Sequence, residues 1–249
     1  MSARFYAPEA RASGELVTLP PDEAEHLIKV LRLRVGDPVR IFNGRGAEFD
    51  GLVELSARLD VRIRLGDRRE SAQEPGVAIT LAQAVLKGDK MDAVVRDAVM
   101  MGVAVVQPIV SARTEVTLTA LERGHRRERW ERIAVSSAKQ CGRAVIPSIL
   151  MPCVFDTLVT GLMELRVPNP GLMFVEPSAG RETDSLSDLA AQPPREVTVI
   201  VGPEGGWTPE EVARGAATGR LISFRGRTLR ADAMPTVALA ALFARWGEL

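Results

Sequence analysis

The stretch VTVIVGPEGGWT, residues 197–208, decides the fold of this chain. A short apolar strand, Val197–Val201, leads directly into the glycine-rich turn Gly202–Gly206, and Thr208 then begins a helix. A threonine cap followed by Pro209 and by a glutamate three residues after the cap is the pattern of a capped helix start. A strand that passes through such a turn into a helix is typical of the ligand-binding edge of an open α/β sheet. The plainer alternative is a tight turn that binds nothing.

The surrounding sequence, from about residue 73 onward, alternates buried apolar strands with helices. Such alternation predicts the α/β class, with a parallel sheet that is covered on both faces. The predicted strands are Val77–Ala82, Val103–Val110, Leu172–Val175 and Leu221–Phe224, and the predicted helices are Asp89–Met101, Leu121–Gly142 and Ala233–Trp246.

The first 72 residues have a different pattern, with short alternating strands and one helix. The helix is predicted to begin at Pro21, to end before Gly36 and to place Leu27, Val30 and Leu31 on one face. The Asn43-Gly44 pair between two alternating segments predicts a β-hairpin, and closely spaced short strands favour a small barrel. The polar segment 67–76 predicts a boundary, which gives a domain of residues 1–72 and a domain of residues 73–249.

The composition of the 249-residue chain excludes several classes of protein. With 46% hydrophobic residues it has enough apolar surface to fold, and no apolar run approaches the 18 residues of a membrane span. The first ten residues, MSARFYAPEA, lack the apolar core of a signal peptide, which predicts a cytoplasmic protein. Two cysteines and two histidines without metal-ligand spacing predict neither a disulfide framework nor a metal site.

The charge pattern limits the partners that the chain can have. Its 32 basic and 32 acidic residues cancel, whereas a protein that coats nucleic acid is usually basic. An RNA partner would therefore be bound by local patches, and arginine-rich stretches occur at residues 113–143 and 220–230. The sequence contains neither the phosphate-binding GxxxxGK[ST] motif nor a GxGxxG motif after its first strand, which disfavours nucleotide hydrolysis and dinucleotide binding.

Four motifs in order along the chain resemble one family. They are HLIKVLRLRVGD at 26–37, QCGRAVIP at 140–147, GPEGGWT at 202–208 and LRADA at 229–233. Together they are similar to the bacterial methyltransferases of the SPOUT superfamily that methylate N3 of a uridine in small-subunit ribosomal RNA. The resemblance implies a PUA-like RNA-binding β-barrel, then an α/β SPOUT domain with a C-terminal trefoil knot. It also implies S-adenosylmethionine as cofactor, ribosomal RNA as substrate and a homodimer.

The resemblance also implies which residues bind the cofactor, on three loops. These are Val175, Glu176, Gly202, Pro203, Glu204, Gly205, Gly206, Phe224, Leu229 and Arg230. In the last loop this chain has Arg225 where the family usually has glycine, and Ala231 and Ala233 where it usually has threonines. Hydroxyl contacts at those two positions are therefore not expected, whereas backbone contacts are.

Methylation at N3 requires loss of the N3 proton, which leaves negative charge on O2 and O4 of the uracil. By family position and charge, Arg143 and Arg230 are the candidates to stabilise that anion, and Asp232 or Glu204 to accept the proton. Asp232 has capping of the following helix as its plainer role. The candidates for RNA contact in the first domain are Lys29, Arg32 and Arg34, for which a solvated helix face is the alternative.

Two other functions remain open at this point. One is methylation of another RNA, such as transfer RNA, by a SPOUT enzyme, although the segment 26–37 argues against it. The other, from a different class, is a non-catalytic RNA-binding or ribosome-assembly factor, which the altered last loop favours.

Overall fold

The computed structural model describes residues 2–57, 60–165, 171–177, 182–224 and 228–248. Contacts divide the chain into two compact units, Met1–Glu74 with Val135–Ile146 and Pro75–Ala134 with Pro147–Leu249. The strands are β1 Ala3–Tyr6, β2 Leu16–Thr18, β3 Pro38–Phe42, β4 Glu48–Ala57, β5 Asp60–Arg69, β6 Ala78–Ala84, β7 Val105–Val110, β8 Ser148–Ile149, β9 Cys153–Val154, β10 Gly171–Phe174, β11 Glu196–Val201 and β12 Gly219–Ile222. The helices are α1 Pro21–Glu25, α2 Lys90–Met101, α3 Leu118–Arg123, α4 Arg126–Cys141, α5 Phe155–Glu164, α6 Pro209–Ala216 and α7 Met234–Trp246.

The first unit is built on a five-stranded sheet with the order β1-β3-β4-β5-β2. Strands β3 and β4 form the predicted antiparallel hairpin. In its turn, the Asn43 side-chain oxygen accepts hydrogen bonds from the amides of Arg45 at 2.8 Å and Ala47 at 3.1 Å. An asparagine that bonds the backbone ahead of it is the local signal by which this turn was predicted. The core under the sheet contains Phe5, Ile41, Phe49 and Ile63, all at most 1% exposed.

The helix predicted in the first unit differs from the observed one. Helix α1 ends at Glu25 and continues as a π-helical turn, His26–Leu31, which stops at Arg32 in the left-handed region with φ 55°. Leu27 is buried, but Val30 is 66% and Leu31 41% exposed, so the predicted apolar face was wrong. The wider π turn changes the angular spacing of the side chains, so positions that share a face in an α-helix no longer do.

One arginine ties the segment Val135–Ile146 to the first strand of its unit. The Arg4 guanidinium donates to Glu48 at 2.9 and 3.1 Å and to the carbonyl oxygens of Ala138 at 2.7 Å and Arg143 at 2.8 Å. The side chains of Arg4 and Glu48 are only 10% and 5% exposed. A cation at the end of α4 interacts favourably with the carbonyl oxygens exposed there and with the helix dipole.

The second unit contains a seven-stranded sheet in which every pairing is parallel, as predicted. The strand order is β12-β10-β11-β6-β7-β8, with β9 also paired to β7. All four residues of β10 are buried, which fits a central strand covered on both faces. Adjacent strands β6 and β11 send the chain in opposite directions, β6 through α2 to β7 and β11 through α6 to β12. Such a switch point leaves a crevice at the carboxyl ends of the strands.

The long basic helix predicted over Leu121–Gly142 is interrupted. Helix α3 ends at Arg123, because the extended backbone of the following Gly124 (φ −87°, ψ 154°) cannot continue a helix. Helix α4 then begins at Arg126. A glycine inside a helical pattern costs helix stability, which makes it a natural breaking point. Among the described residues, no helix is both long enough and apolar enough to cross a lipid bilayer.

We expect Arg4→Met to lower the free energy of unfolding by about 3 kcal/mol, because it leaves the buried Glu48 carboxylate unpaired. Urea denaturation followed by circular dichroism measures this. Arg62→Met is the matched control, since its ion pair with Asp60 is 46% and 43% exposed and should not change the unfolding midpoint. Equal midpoints for the two variants would contradict the role assigned to Arg4.

Candidate active site

An open cavity of about 290 Å³ lies in the second unit, at the low end of the range for small-ligand sites. Its lining comes from the loops that follow β10, β11 and β12, together with Lys90 at the start of α2. Nine of the ten residues predicted to bind the cofactor line it, namely Val175, Glu176, Gly202, Pro203, Glu204, Gly206, Phe224, Leu229 and Arg230. Three segments that are distant in sequence therefore meet because parallel strands end at one edge of the sheet.

The glycine-rich turn is held by the indole of Trp207. Its ring nitrogen donates to the carbonyl oxygen of Phe174 at 3.0 Å, which links the ends of β10 and β11. A Cβ atom on Gly202 would lie 2.9 Å from the indole ring, so only glycine fits under it. Gly206 has φ +67°, a conformation that other residues rarely adopt. The turn therefore requires glycine at these two positions for two different reasons.

The predicted cap of helix α6 is confirmed. The Thr208 hydroxyl accepts from the amide of Glu211 at 3.2 Å, and the Glu211 carboxylate accepts from the amide of Thr208 at 3.0 Å. The second oxygen of Glu211 accepts from the amide of Ala112 at 2.8 Å. Beside it, Arg113 donates to the carbonyl oxygen of Gly205 at 2.9 Å. Gly205, predicted to bind the cofactor, is absent from the cavity lining; its carbonyl is engaged by this arginine instead.

Glu204 is paired with a lysine that was not predicted from the sequence. The Lys90 ammonium lies 2.8 Å from a Glu204 carboxylate oxygen, and the amide of Lys87 donates to the same oxygen at 3.3 Å. Burial acts to raise the pKa of Glu204, but these hydrogen bonds outweigh it, so the pKa lies below its usual value. Glu204 is therefore a carboxylate at neutral pH and a weak base.

Arg230 and Asp232 form a second pair in the cavity, with two hydrogen bonds of 3.0 Å each. The hydrogen bond from Arg230 holds the pKa of Asp232 below its usual value, and the charge of Lys90 acts in the same direction. The residue that caps α7 is Ala233, with no side-chain hydrogen bond, so Asp232 does not serve as the helix cap. Both carboxylates predicted as proton acceptors are thus ionised and paired.

The structure does not bring Arg143 to the cavity lining. This arginine belongs to the first unit, is 4% exposed and donates two hydrogen bonds of 3.1 Å from its Nε to the carboxylate of Glu74. A buried guanidinium held by a carboxylate stabilises the segment that carries it. The role of Arg143 in stabilising a uracil anion stays a prediction.

The three cations predicted to contact RNA lie on and after the π-helical turn of the first unit. Lys29, Arg32 and Arg34 are all exposed, and the Lys29 ammonium lies 2.6 Å from Glu25. Their neighbours Val30 and Val35 are 66% and 62% exposed, so the segment presents cations together with apolar side chains.

Part of the last loop falls on positions that lie outside the described residues, 225–227, which include the unusual Arg225. Of the two alanines that replace the family threonines, Ala231 lines the cavity and Ala233 is exposed at the start of α7. Within the described ranges, no group of three or more histidine, cysteine, aspartate or glutamate side chains is arranged to hold a metal ion.

Several lining residues were not predicted from the sequence. Lys90, Trp207, Thr228 and Met234 all border the cavity. Trp207 lies within the motif at 202–208, and Thr228 lies directly before the motif at 229–233. Both could therefore have been identified from the motifs. Lys90 could not, because its partner Glu204 is 114 residues away in the sequence.

Comparison with known proteins identifies both parts of the chain. The RNA methyltransferase domain family matches residues 73–243, and the RNA methyltransferase PUA domain family matches residues 19–67. A relative from Synechocystis, the ribosomal RNA small subunit methyltransferase E, is 30% identical over 233 residues, which covers 91% of this chain and 72% of that protein.

Two solved structures agree with the whole fold. The ribosomal RNA small subunit methyltransferase E of Neisseria gonorrhoeae, bound to S-adenosylmethionine, has a TM-score of 0.87 and 28% identity, with 99% of this chain and 98% of that chain covered. A Legionella pneumophila protein described as a methyltransferase, also with bound S-adenosylmethionine, has a TM-score of 0.88 and 30% identity, with 98% of each chain covered.

We expect Trp207→Phe to destabilise the turn, because phenylalanine keeps an aromatic ring but leaves the Phe174 carbonyl without its donor. The loss should exceed that of Trp246→Phe by about 1 kcal/mol in the free energy of unfolding. Trp246 is a buried control for the lost ring volume, and within the described part of the chain its indole has no hydrogen-bond partner. Faster amide exchange at Gly206 in Trp207→Phe, and not in Trp246→Phe, would show that the lost stability lies in the turn. Equal losses of unfolding free energy in the two variants would refute the role assigned to Trp207.

Proposed function

Since the chain belongs to the RNA methyltransferase family that includes ribosomal RNA small subunit methyltransferase E, we propose that it methylates N3 of a uridine in small-subunit ribosomal RNA. S-adenosylmethionine is the methyl donor. The observation that carries the proposal is the single cavity formed by the loops after β10, β11 and β12, lined by nine of the residues that the family resemblance assigns to the cofactor.

The residues of the cavity fit that cofactor. Phe174, Val175 and Leu229 supply apolar surface. Among the described lining residues, the carboxylates of Glu176, Glu204 and Asp232 outnumber the cations of Lys90 and Arg230. An excess of negative charge suits a ligand that carries a sulfonium and an ammonium group. When bound, the cofactor supplies an electrophilic methyl group, and the backbone of the Gly202–Gly206 turn can approach it closely because Gly202 and Gly206 have no side chains.

The side chains of the site determine how uracil N3 becomes a nucleophile. Asp232 and Glu204 are the acceptors nearest the Arg230 and Lys90 cations, but their lowered pKa values make each a weak base. Proton loss from N3 therefore depends on stabilising the anion, which Arg230 does with the donors that it does not give to Asp232. In-line positioning of N3 against the methyl group supplies the rest of the acceleration.

The first unit binds the RNA in this proposal. The PUA domain match at residues 19–67 contains Lys29, Arg32 and Arg34, whose exposed charges suit phosphate contacts. We infer that its five-stranded sheet is the barrel of a PUA-like domain, and that residues 1–72 and 73–249 correspond to the RNA-binding and the methyltransferase domain.

Three further features are inferred from the family. They are a trefoil knot in the C-terminal part of the second unit, a homodimer, and a cytoplasmic location, where ribosomal RNA is modified. The sheet order β12-β10-β11-β6 and the meeting of the loops at 174–177, 201–207 and 228–234 are compatible with such a knot. A crystal structure of the cofactor complex would test the knot and the dimer together.

We expect Arg230→Ala to lower the rate of methyl transfer by about 10²-fold, the usual cost of one lost anion-stabilising donor, with little change in cofactor affinity. The assay uses unmethylated small ribosomal subunits, with mass mapping of the product nucleoside and calorimetry for cofactor binding. Arg214→Ala, an exposed arginine of α6 paired with Asp156, is the control. Unchanged transfer in Arg230→Ala would remove its assigned role.

The same assay separates the alternatives that the sequence left open. A wild-type product at a base other than uracil N3, or on transfer RNA, would favour another RNA methyltransferase activity. No heat of cofactor binding and no product would favour a ribosome-assembly factor.

We expect replacement of Lys29, Arg32 and Arg34 by glutamine to weaken RNA binding and to flatten its dependence on salt. Loss of three phosphate contacts reduces the slope of log K against log salt by about 2 for single-stranded RNA. The control is Arg62, Arg64 and Arg69 to glutamine, because each of these pairs with a carboxylate on the neighbouring part of the sheet. Identical slopes for the two triple variants would instead indicate a solvated helix face.

A further inference from the structure

Lys90 is a cation of the cavity to which neither the family resemblance nor the sequence motifs assign a function. It is the first residue of α2, its side chain is 35% exposed, and it lines the cavity beside Glu204. A lysine ammonium has three donors, and of these one is given to Glu204. Within the described part of the chain, Lys90 and Arg230 are the lysine and arginine side chains of the lining.

The chemistry proposed for the site needs two cations. When uracil loses its N3 proton, the charge spreads over O2 and O4, which lie on opposite sides of N3. A donor at each oxygen stabilises this anion more than a donor at one. Arg230 is available for one oxygen, and it is the only cation among the assigned residues in the described part of the cavity lining. One oxygen therefore has no assigned partner.

The acid–base properties of the carboxylates point in the same direction. Glu204 and Asp232, the two predicted proton acceptors, are both paired with cations, and their lowered pKa values make each a weak base. A weak base can remove the N3 proton at a useful rate only if the site makes N3 more acidic. Positive charge next to the uracil oxygens has that effect, since it favours the ionised form of a neighbouring acid.

We propose that Lys90 is a catalytic residue that donates to one carbonyl oxygen of the target uracil while Arg230 donates to the other, so that N3 ionises within the site. The inference rests on the proposed function and deepens it. In the balanced step, the N3 proton passes to water, the N3 lone pair forms the bond to the methyl carbon, and the sulfur–methyl bond breaks, with its electrons remaining on sulfur. Lys90 stays an ammonium throughout.

Glu204 has the role of positioning Lys90. Its carboxylate is fixed by the backbone amide of Lys87 at 3.3 Å and accepts from the Lys90 ammonium at 2.8 Å. A lysine side chain is long and loses much rotamer freedom when fixed, so a carboxylate that holds it at the edge of the cavity reduces the cost of ordering it when substrate binds.

The test is the pH dependence of methyl transfer by Lys90→Gln, with Lys90→Arg as the charge-keeping variant. Arg96→Gln is the matched control, because it removes an exposed cation of the same helix whose side chain pairs with Asp97 and does not line the cavity. Unmethylated small ribosomal subunits are the substrate. Calorimetry with S-adenosylmethionine and the melting temperature of each full-length variant are measured alongside.

We expect Lys90→Gln to lose about 10²-fold in rate at neutral pH and to retain cofactor affinity. Without the cation, N3 is less acidic in the complex, so the rate of the variant should keep rising with pH after the wild-type rate has levelled off. Lys90→Arg should recover most of the rate, and Arg96→Gln should match the wild type. Subunits reconstituted with 5-fluorouridine RNA, whose N3 is more acidic, should show a smaller defect.

Several results would overturn the inference. The first is an unchanged rate of methyl transfer in Lys90→Gln. The second is a lower rate combined with the wild-type pH profile and a weakened cofactor affinity, because Lys90 would then only support the cofactor site. If Lys90→Gln melts at a lower temperature, Lys90→Met is measured in its place and is judged by the same pH profile. If the wild-type protein does not methylate uracil N3, the proposed function itself is refuted. If the wild type is active and Lys90→Gln is equally active, only the role of Lys90 is refuted.

Discussion

The indole of Trp207, set over Gly202 and hydrogen-bonded to the Phe174 carbonyl, is the contact on which the cavity depends. It connects the residue that ends β10 with the turn that follows β11, so two of the three lining loops are fixed by one side chain. The side-chain amide nitrogen of Gln83, near the end of β6, donates to the carbonyl oxygen of Gly202 at 3.2 Å and connects a third strand to the same turn. These contacts join two backbone carbonyls to the half-buried indole of Trp207 and the buried side chain of Gln83, which fixes the shape of the cavity.

How far the sequence could predict this structure depends on how local each signal is. The Asn43 hairpin and the Thr208 cap were predicted correctly, because all the atoms that form them lie within a few residues. The π-helical turn at His26–Leu31 and the break at Gly124 were not, since tertiary packing decides between two helical forms that have similar local propensities. Only Leu27 of the expected apolar face packs into the core.

The site shows the same division between local and distant information. The loops of the motifs do border one cavity. They could be recognised from the sequence because each follows an apolar strand and begins with a glycine turn or an arginine loop. The pairing of Arg143 was not predicted, because a motif does not reveal that its guanidinium is held by the carboxylate of Glu74. An arginine's position in a motif therefore predicts where its backbone lies better than what its guanidinium binds.

The order of the strands explains why Lys90 is found at the cavity at all. Strands β6 and β11 are neighbours, with Gln83 paired to Val201, although more than a hundred residues separate them. The chain leaves β6 toward β7 and leaves β11 toward β12, so the two departing loops border the crevice of a topological switch point, where ligands bind in open α/β sheets. Lys90 begins the helix on one side of this crevice and Glu204 belongs to the turn on the other. Their ion pair therefore joins the two sides of this crevice, which is where the proposed role of Lys90 requires its ammonium group to be.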